Sequence, residues 1–399
     1  MSREMVKLDD CLQLITYGFT NPMPDSEEGP WKVTAKDIID GRIDFTTARH
    51  TTADAFKNDL TDKSRPIRDD ILLTKDGTLG RLAIVGDETI CINQSVALLR
   101  LKKELLLPRY LFYLLQSPEY QGKMLADAGG STIKHIYITK VNQLMIPVPS
   151  LEIQQKFINI LFAYDRMVDN CKEQIKLLEE AAQRLYKEWF VDLRFPRHET
   201  TPIVDGVPEG WERNTINSII DLQSGFAFKS TDFCESGTYK IVTIKNVQDG
   251  LFDGQNVSKI DEIPARMPAH CRLGDGDVLL SLTGNVGRVC VVNGQNYLLN
   301  QRVAKIKSDY PAYAYCLFRS SDMFTAMGNL ANGAAQQNLS PIKTGQIKIL
   351  IPPFSLLIRF EETASAYMKQ MLTLNKQIEL LQQARDRLLP KLMSGEIEV

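Results

Sequence analysis

The sequence predicts an α+β fold in which two pseudo-symmetric, β-rich domains are each followed by a long helix. The first observation behind this prediction is an internal duplication. Residues 70–81 (DILLTKDGTLGR) align without a gap on residues 277–288 (DVLLSLTGNVGR), at an offset of 207 residues (277 − 70). Two pairs recur at the same offset: Gly18-Phe19 with Gly225-Phe226, and Asn93-Gln94 with Asn300-Gln301. Two copies of one unit indicate two similar surfaces that bind two similar things.

A second repeated segment lies near the end of each copy. Residues 174–181 (QIKLLEEA) match residues 377–384 (QIELLQQA) at an offset of 203 (377 − 174), so the offset falls by four within the copy. We expect a surface loop to absorb this deletion. The predicted organisation is a first domain over 1–150, a central helical arm over 151–198, a second domain over 199–353 and a C-terminal arm over 354–399.

The arms carry a heptad pattern, which is the second observation that predicts the fold. Apolar residues spaced alternately four and three apart are typical of a coiled-coil seam. The first seam is Phe157, Leu161, Tyr164, Val168, Cys171, Ile175, Leu178, Ala182, Leu185 and Trp189. The second is Phe360, Ala364, Tyr367, Met371, Leu374, Ile378, Leu381, Arg385, Leu388 and Leu392, in which Arg385 breaks the pattern. We expect the arms, each roughly 50 Å long, to pack as an antiparallel coiled coil. The alternative is that each helix packs on its own domain.

The remaining elements follow from local signals. Prolines at 147, 149, 352 and 353 stand just before the arms, where a chain enters a helix. Pro196 ends the first arm, and residues 202–208 (PIVDGVP) indicate a linker. Residues 278–281 and 289–292 are β-branched runs around a glycine turn, which predicts a hairpin. Residues 109–115 predict a helix that ends before Pro118.

The composition limits the class of protein. Hydrophobic residues make up 44% of the chain and charged residues 24%, as in ordinary soluble proteins. No apolar run approaches the roughly 20 residues of a membrane helix, and residues 1–7 lack the apolar core of a secretory signal. The seven cysteines stand singly, without a Cys/His cluster. We therefore expect no metal site, and buried thiols in a reducing cytoplasm.

No set of residues with recognisable catalytic chemistry is present. The sequence contains no GxxxxGK[ST] nucleotide loop, no HExxH, no GxSxG and no glycine-rich S-adenosylmethionine loop. Pro352-Pro353-Phe354 is similar to part of an amino-methyltransferase motif, but Ile351 stands where that motif needs a hydrogen-bond acceptor. The net charge of −2 counts against a free-standing nucleic-acid binder. If DNA is the ligand, the positive charge must be local or supplied by a partner.

Two short glycine turns, residues 77–81 (GTLGR) and 284–288 (GNVGR), occupy the centre of the duplication. Glycines let backbone N–H groups approach a phosphate closely, and a following arginine can grip it. A plain hairpin turn with a solvated arginine fits the same residues. The recurrence of the turn favours a binding role.

Taken together, these motifs resemble the specificity subunit of type I restriction-modification enzymes. The matching features are the two glycine stretches, the IPVP and IPP turns before the arms, residues 206–211 (GVPEGW) and residues 388–397 (LLPKLMSGEI). The resemblance implies two target recognition domains that each read half of a split, asymmetric DNA site, with the helices fixing the unread spacer. It also implies two methyltransferase subunits as partners, which restriction subunits can join. Adenine methylation, S-adenosylmethionine, ATP and Mg would belong to those partners, with no cofactor in this chain.

The duplication then sorts the candidate site residues. Positions in the shared segments cannot encode two different half-sites, so we expect them to be structural or to hold phosphates: Thr74, Lys75, Gly77, Gly80, Arg81, Ser281, Gly284, Asn285, Gly287 and Arg288. Base readout is expected where the copies diverge and polar residues collect. These candidates are Arg49, His50, Lys57, Lys63, Arg65, Thr132, Lys134, His135, Lys245, Asn246, Arg266, His270, Gln336, Gln337 and Asn338. The plain alternative for each is a solvated surface group.

The alternative function is a coiled-coil scaffold for protein interactions that makes no direct contact with DNA bases. The near-neutral charge and the lack of a basic tract favour it. The resemblance, which covers essentially the whole chain, favours the specificity subunit.

Overall fold

The computed structural model describes residues 5–126, 134–255, 257–331, 338–394 and 396–397. It forms two compact units, Met1–Arg166 with Leu381–Val399, and Met167–Leu380. Each unit combines one β-rich domain with parts of both long helices. The boundary between units thus falls within each arm and not at the start of the arm, because the ends of the arms pack into the domain cores.

The first unit contains eleven strands among its described residues. They are β1 (Met5–Lys7), β2 (Leu12–Tyr17), β3 (Ser26–Val33), β4 (Ile38–Ile39), β5 (Arg42–Ile43), β6 (Arg49–His50), β7 (Ile71–Thr74), β8 (Leu82–Ile84), β9 (Ile90–Ile92), β10 (Val96–Leu101) and β11 (Met145–Pro147). The helices that begin in this unit are α1 (Ala53–Asn58), α2 (Pro108–Gln116), α3 (Pro118–Ala126), α4 (Ile138–Val141) and α5 (Leu151–Tyr186).

The second unit repeats most of these elements. Its strands are β12 (Ile203–Val204), β13 (Val207–Pro208), β14 (Glu212–Thr215), β15 (Asp221–Ser224), β16 (Tyr239–Val242), β17 (Ser258–Ile260), β18 (Arg272–Leu273), β19 (Val278–Ser281), β20 (Val289–Val291), β21 (Tyr297–Leu299), β22 (Val303–Lys307) and β23 (Lys348–Ile351). Its helices are α6 (Pro311–Arg319), α7 (Ser321–Ala331), α8 (Pro341–Gly345) and α9 (Phe354–Ser394).

Both domains are built on the same four-stranded sheet. The strand order is β2-β10-β7-β8 in the first domain and β15-β22-β19-β20 in the second. In each copy the two strands around the glycine turn are antiparallel, with Leu72 opposite Ala83 and Leu279 opposite Cys290. All four residues are fully buried. The hairpin predicted over 278–292 is therefore confirmed.

The four-residue deletion lies in one loop. β10 and β22 begin 207 residues apart (303 − 96), whereas α2 and α6 begin 203 apart (311 − 108). The offset therefore changes between strand and helix, where the six residues 102–107 of the first domain correspond to the two residues 309–310 of the second (6 − 2 = 4). Lys103, Glu104 and Leu105 are exposed. The expectation of a surface loop is confirmed, because the loop can shorten without disturbing the core.

In the first unit, the start of α5 packs against the end of α9. Phe157 and Leu161 share a buried core with Leu389 and Leu392, which fixes an antiparallel direction. The ring of Phe157 also packs edge-on against Tyr110 of α2, with centroids 5.9 Å apart. The seam here contacts both the other arm and the domain. Both interpretations of the heptad pattern are therefore correct in this unit.

In the second unit, the end of α5 packs against the start of α9. Tyr186 and Phe190, the latter in a π-helical turn over Lys187–Val191, pack against Phe360 and Tyr313. No predicted seam residue of either arm is exposed, whereas Leu177 and Leu380, which lie off the seam, are 55% and 65% exposed. The predicted α+β fold with antiparallel arms is confirmed. Across the described residues, no helix has the length and apolar content needed to cross a bilayer.

Candidate nucleic-acid interface

The glycine turns are tight hairpin connections that need glycine at two positions. Gly77, Gly80, Gly284 and Gly287 have φ values of 78°, 81°, 71° and 82°, in the left-handed region that favours glycine. A Cβ on Gly80 would lie 2.5 Å from Oε1 of Gln121 in α3. The recurrence of these glycines is thus explained by backbone conformation and close packing, before any ligand is considered.

The residue that starts each turn is structural. Thr74 and Ser281 are fully buried. The Thr74 hydroxyl donates to the Thr78 carbonyl and accepts from the Arg81 backbone N–H at 2.9 Å. Ser281 donates to the Thr283 carbonyl at 3.3 Å. Of the two roles expected for these positions, the geometry supports the structural one.

The basic and polar side chains of the turns differ in their exposure and in their hydrogen-bond partners. Arg81 is exposed and donates to the Ile38 carbonyl at 3.1 Å, while half-buried Arg288 bonds to Gln248. Lys75 is 16% exposed and pairs with Asp76 at 2.8 Å. Asn285 is exposed. Arg81 and Asn285 are therefore the shared-turn side chains that are most accessible to a phosphate.

The recurrence of Gly18 and Gly225 has a steric origin. An added Cβ on Gly18 would lie 1.7 Å from the Ile92 carbonyl oxygen, and one on Gly225 would lie 2.2 Å from that of Asn300. Asn93, which follows Ile92, stabilises the turn after it, because its Oδ1 accepts from the backbone N–H and hydroxyl of Ser95 at 3.1 and 2.6 Å. These repeated residues hold the sheet to the adjoining strand.

The first divergent segment of domain one places its candidates on different elements. Arg49 and His50 lie on β6, where Arg49 pairs with Asp25 at 3.3 Å. The His50 ring rests on Trp31 with centroids 3.7 Å apart, and its Nδ1 lies 2.7 Å from the Gly29 carbonyl oxygen. Lys57 on α1 and Lys63 after it are both exposed. Arg49, Lys57 and Lys63 are thus all exposed, but they lie on separate elements and do not form one cluster.

Arg65 borders an open cavity of about 530 Å³. Its guanidinium stands 5.8 Å from the centre of the Phe56 ring and pairs with Asp62 at 3.4 Å. Two further arginines and two further acidic residues line the cavity: Arg68, Arg100, Asp87 and Glu88. The opposite charges balance, so the cavity gives no strong preference for an anion.

The second divergent segment of domain one meets the glycine turn. His135 Nδ1 lies 2.5 Å from Asp76 Oδ1, and Lys134 beside it is exposed. Burial raises the pKa of Asp76, but hydrogen bonds from Lys75 and His135 outweigh it, so that pKa lies below its usual value. Thr132 falls outside the described residues. Asp76, which sequence reasoning missed, could have been found as a difference inside the repeated turn.

The candidates of domain two include one correction. Asn246 is 1% exposed. Its Oδ1 accepts from the backbone N–H and hydroxyl of Thr243 at 2.8 and 3.0 Å, and its Nδ2 donates to the Asp253 carbonyl at 2.9 Å. The prediction that Asn246 reads a base is wrong, because its amide is buried and hydrogen-bonded within its own loop.

The other candidates of domain two are accessible or partly so. Lys245, Arg266 and Asn338 are exposed. His270 is half-buried, with Nε2 2.9 Å from the Ser224 carbonyl oxygen. Asn338 forms a backbone bridge with Thr283 beside the second glycine turn. Gln336 and Gln337 lie outside the described residues.

Comparison with known proteins assigns the chain to a family. The type I restriction modification DNA specificity domain matches residues 22–180 and 208–379, which is most of the chain and covers both domains. The chain belongs to this family. The resemblance seen in the sequence is therefore confirmed, and each copy of the duplication is one DNA specificity domain.

Relatives and a solved structure agree with the family assignment. The chain is 25% identical to the type I restriction enzyme MjaIX specificity subunit of Methanocaldococcus jannaschii, over 82% of this chain and 78% of that protein. It is 24% identical to the MjaVIII specificity subunit of the same organism, over 99% and 93%. The crystal structure of the type I restriction-modification S subunit from M. genitalium superposes with a TM-score of 0.54 at 17% identity, covering 98% of this chain and 96% of that one. This last likeness supports the fold.

Proposed function

We propose that this chain is the non-catalytic specificity subunit of a type I restriction-modification complex. In this proposal each domain reads one half of a two-part, asymmetric DNA site, and the helical arms set the distance between the halves. The observation that carries it is the family match across both copies, joined to the way the copies differ. They share the buried turn built on Thr74 and Ser281 and diverge in the polar residues beside it.

The chemistry is assigned to partner subunits. Two methyltransferase subunits would hold S-adenosylmethionine and methylate adenine, and restriction subunits would use ATP and Mg. The net charge of −2 fits this division, because partners would supply part of the positive field that attracts DNA. Phosphate contacts would provide most of the affinity, and groove contacts by the divergent segments would provide sequence choice.

The alternative, a protein-interaction scaffold without base readout, is less well supported. It accounts for the arms and for the near-neutral charge. It does not account for the presence of the DNA specificity domain in both copies. The arms in any case serve both functions, since partners can dock on them while the domains hold DNA.

A domain exchange tests the proposal. Residues 1–150 are replaced by the corresponding domain of another family member, and the chain is co-expressed with its methyltransferase. Methylated adenines are then mapped across the host genome. We expect one half-site to change completely while the other half-site and the spacer length stay the same.

The matched control replaces residues 199–353 instead and should change the opposite half-site. If either exchange alters both half-sites, or neither, the modular reading of DNA is wrong. If no two-part methylation site is found with the parent chain and its methyltransferase, the proposed function itself is wrong.

A further inference from the structure

The two domains place one polar residue at the same position beside their glycine turns. Asp76 bridges His135 in the first domain, and Thr283 bridges Asn338 in the second. The bridged pairs are related by the same offsets as the rest of the duplication, 207 for Asp76 and Thr283 and 203 for His135 and Asn338 (283 − 76; 338 − 135). His135 and Asn338 are therefore structural counterparts, although the residues themselves differ.

The backbone fixes these two side chains in the same way. The Ile136 N–H donates to the Lys75 carbonyl at 2.9 Å, and the Leu339 N–H donates to the Leu282 carbonyl at 2.7 Å. Ile136 and Leu339 are 2% and 1% exposed. Because side chains alternate along an extended backbone, the residue before each buried anchor turns away from the core. Accordingly, the His135 side chain is 40% exposed and Asn338 is exposed.

The chemistry at the shared position differs between the copies. The Asp76 carboxylate accepts at His135 Nδ1, which leaves Nε2 as the one ring nitrogen without a hydrogen-bond partner among the described residues. Asn338 makes no side-chain hydrogen bond to a described residue, so its amide can donate and accept at once. The neighbouring hydroxyl of Thr283 is buried and likewise has no partner in the part of the chain that the structure describes.

Each position also has an accessible cation nearby. Exposed Lys134 adjoins His135. In the second domain Arg302 is exposed, and its carbonyl accepts from the Leu282 N–H at 3.0 Å, as the Ser95 carbonyl accepts from Lys75 at 2.9 Å. A cation beside a polar group is the arrangement that holds a phosphate while a base edge is read. The two cations therefore stand at different sequence positions in the two copies.

We infer that His135 and Asn338 are equivalent base-reading residues, each contacting the corresponding position of its own half-site. This inference rests on the proposed function and names the side chains that carry it out. Asn338 pairs with adenine through two hydrogen bonds, whereas His135 makes one hydrogen bond through Nε2. The position read by Asn338 is therefore the stricter of the two.

The test uses the full chain with its methyltransferase and a library of duplex DNA randomised over the two half-sites. Asn338→Ala should lower the preference for adenine about 10-fold at one position of the half-site that domain 199–353 determines. The double variant Asp76→Thr with His135→Asn transplants the second pair into the first domain. It should create a preference for adenine at one position of the other half-site.

The variant Lys103→Ala, an exposed residue of the first domain outside these pairs, is the control and should leave all preferences unchanged. The inference is overturned if Asn338→Ala leaves every position unchanged, or if it weakens all sequences equally, as loss of a phosphate contact would. Thermal unfolding is recorded for each variant. If the double variant fails to fold, Asn338→Ala at its exposed position decides the question alone. A parent chain without any two-part site would instead refute the proposed function.

Discussion

Three corresponding positions where an arm meets a domain carry polar side chains in the first unit and apolar side chains in the second. In the first unit the Tyr113 hydroxyl donates to Asp165 Oδ2 at 2.5 Å, and Arg385 donates to Asp165 Oδ1 at 2.7 Å. The counterparts in the second unit, at an offset of 203, are Cys316, Met368 and Ala182, all buried in one apolar core. Arg385, which breaks the predicted seam, is thus compensated by a carboxylate on the facing arm.

This difference shows what the duplication preserves. It preserves the contact between arm and domain at these positions, whereas the size and polarity of the side chains that make the contact have changed. Burial, and then the Asp165 carboxylate, raise the pKa of the Tyr113 phenol, so the hydroxyl stays a proton donor at neutral pH. A polar pair in a seam is costly to desolvate but fixes alignment, because it is satisfied in one register only.

The largest expected effect comes from removing one partner of this pair. Asp165→Met places the second unit's residue opposite an unchanged Arg385 and leaves that half-buried charge with only the adjacent, exposed Asp386 as a partner. We expect a loss of about 3 kcal/mol in the free energy of unfolding, measured by urea titration of the full chain. Adding Arg385→Ala, which completes the second unit's pair, should restore at least half of the loss. A double variant as unstable as the single one would contradict the view that the two packings are interchangeable.

A smaller effect is expected where the two units agree. Gly18→Ala should cost about 2 kcal/mol, because the new methyl group would overlap the Ile92 carbonyl oxygen. Gly225→Ala should cost about the same, since it meets the Asn300 carbonyl oxygen. The control is Gly122→Ala in α3, where an added Cβ meets no described atom within 4 Å. That change should stabilise the helix by about 1 kcal/mol. Equal effects of all three substitutions would refute the steric explanation.

The arms also cap two corresponding helices, α2 in the first domain and α6 in the second, again by different residues. In the first unit Gln154 is fully buried and its Oε1 accepts from the Leu107 N–H, just before α2, at 2.8 Å. In the second unit Glu361 accepts from the Ala312 and Tyr313 N–H groups of α6 at 2.9 and 3.1 Å. Position 361 corresponds to Ile158 and not to Gln154 (361 − 203). The cap has therefore moved by one helical turn between the copies.

The smallest expected effect concerns this cap. Glu361→Ile, which installs the first unit's residue, should cost about 1 kcal/mol in thermal unfolding, because two N–H groups at the start of α6 lose their acceptor. Glu361→Gln keeps one acceptor oxygen and should cost less. A loss for Glu361→Gln equal to that for Glu361→Ile would argue against capping as the role of this side chain.

The titration of Glu361 adds a prediction about how the stability of the protein depends on pH. Burial raises the pKa of its carboxyl, and the two backbone hydrogen bonds only partly oppose the shift. A raised pKa means that the folded state binds the proton more tightly than the unfolded state. The resulting stabilisation is complete below the ordinary value of 4.5 and is lost as pH rises through the folded-state pKa. The parent should therefore lose stability relative to Glu361→Gln as pH is raised from about 4 to about 7.

Much of the fold follows from patterns that can be read along the chain. The seam of the arms was predictable because a heptad spacing places residues on one helical face whatever their partners are. The glycine hairpins were predictable for a similar reason, since the turn and its flanking strands are contiguous in sequence. The limits of the two compact units do not follow from such a pattern, because the ends of each arm join a core whose other members lie far away in sequence.

The candidate site was predicted less completely. Divergence between the copies drew attention to His135 and Asn338, which the structure places beside the turns; their role in base readout stays a prediction. It could not show that Asn246 turns inward, because an asparagine that closes its own loop has the same composition as one that faces DNA. Asp76 escaped notice since its importance arises from a contact with a residue 59 positions away.

By itself, the sequence determined the two-copy plan, the paired arms and the family. Periodicity can be read within one segment, and duplication can be found by comparing the chain with itself. Tertiary structure alone decided which polar groups meet. Asp165 and Arg385 are 220 residues apart, and nothing near either of them specifies the other. A buried polar group is satisfied only by a partner at hydrogen-bond distance with the right geometry, and that distance exists only after the chain has folded.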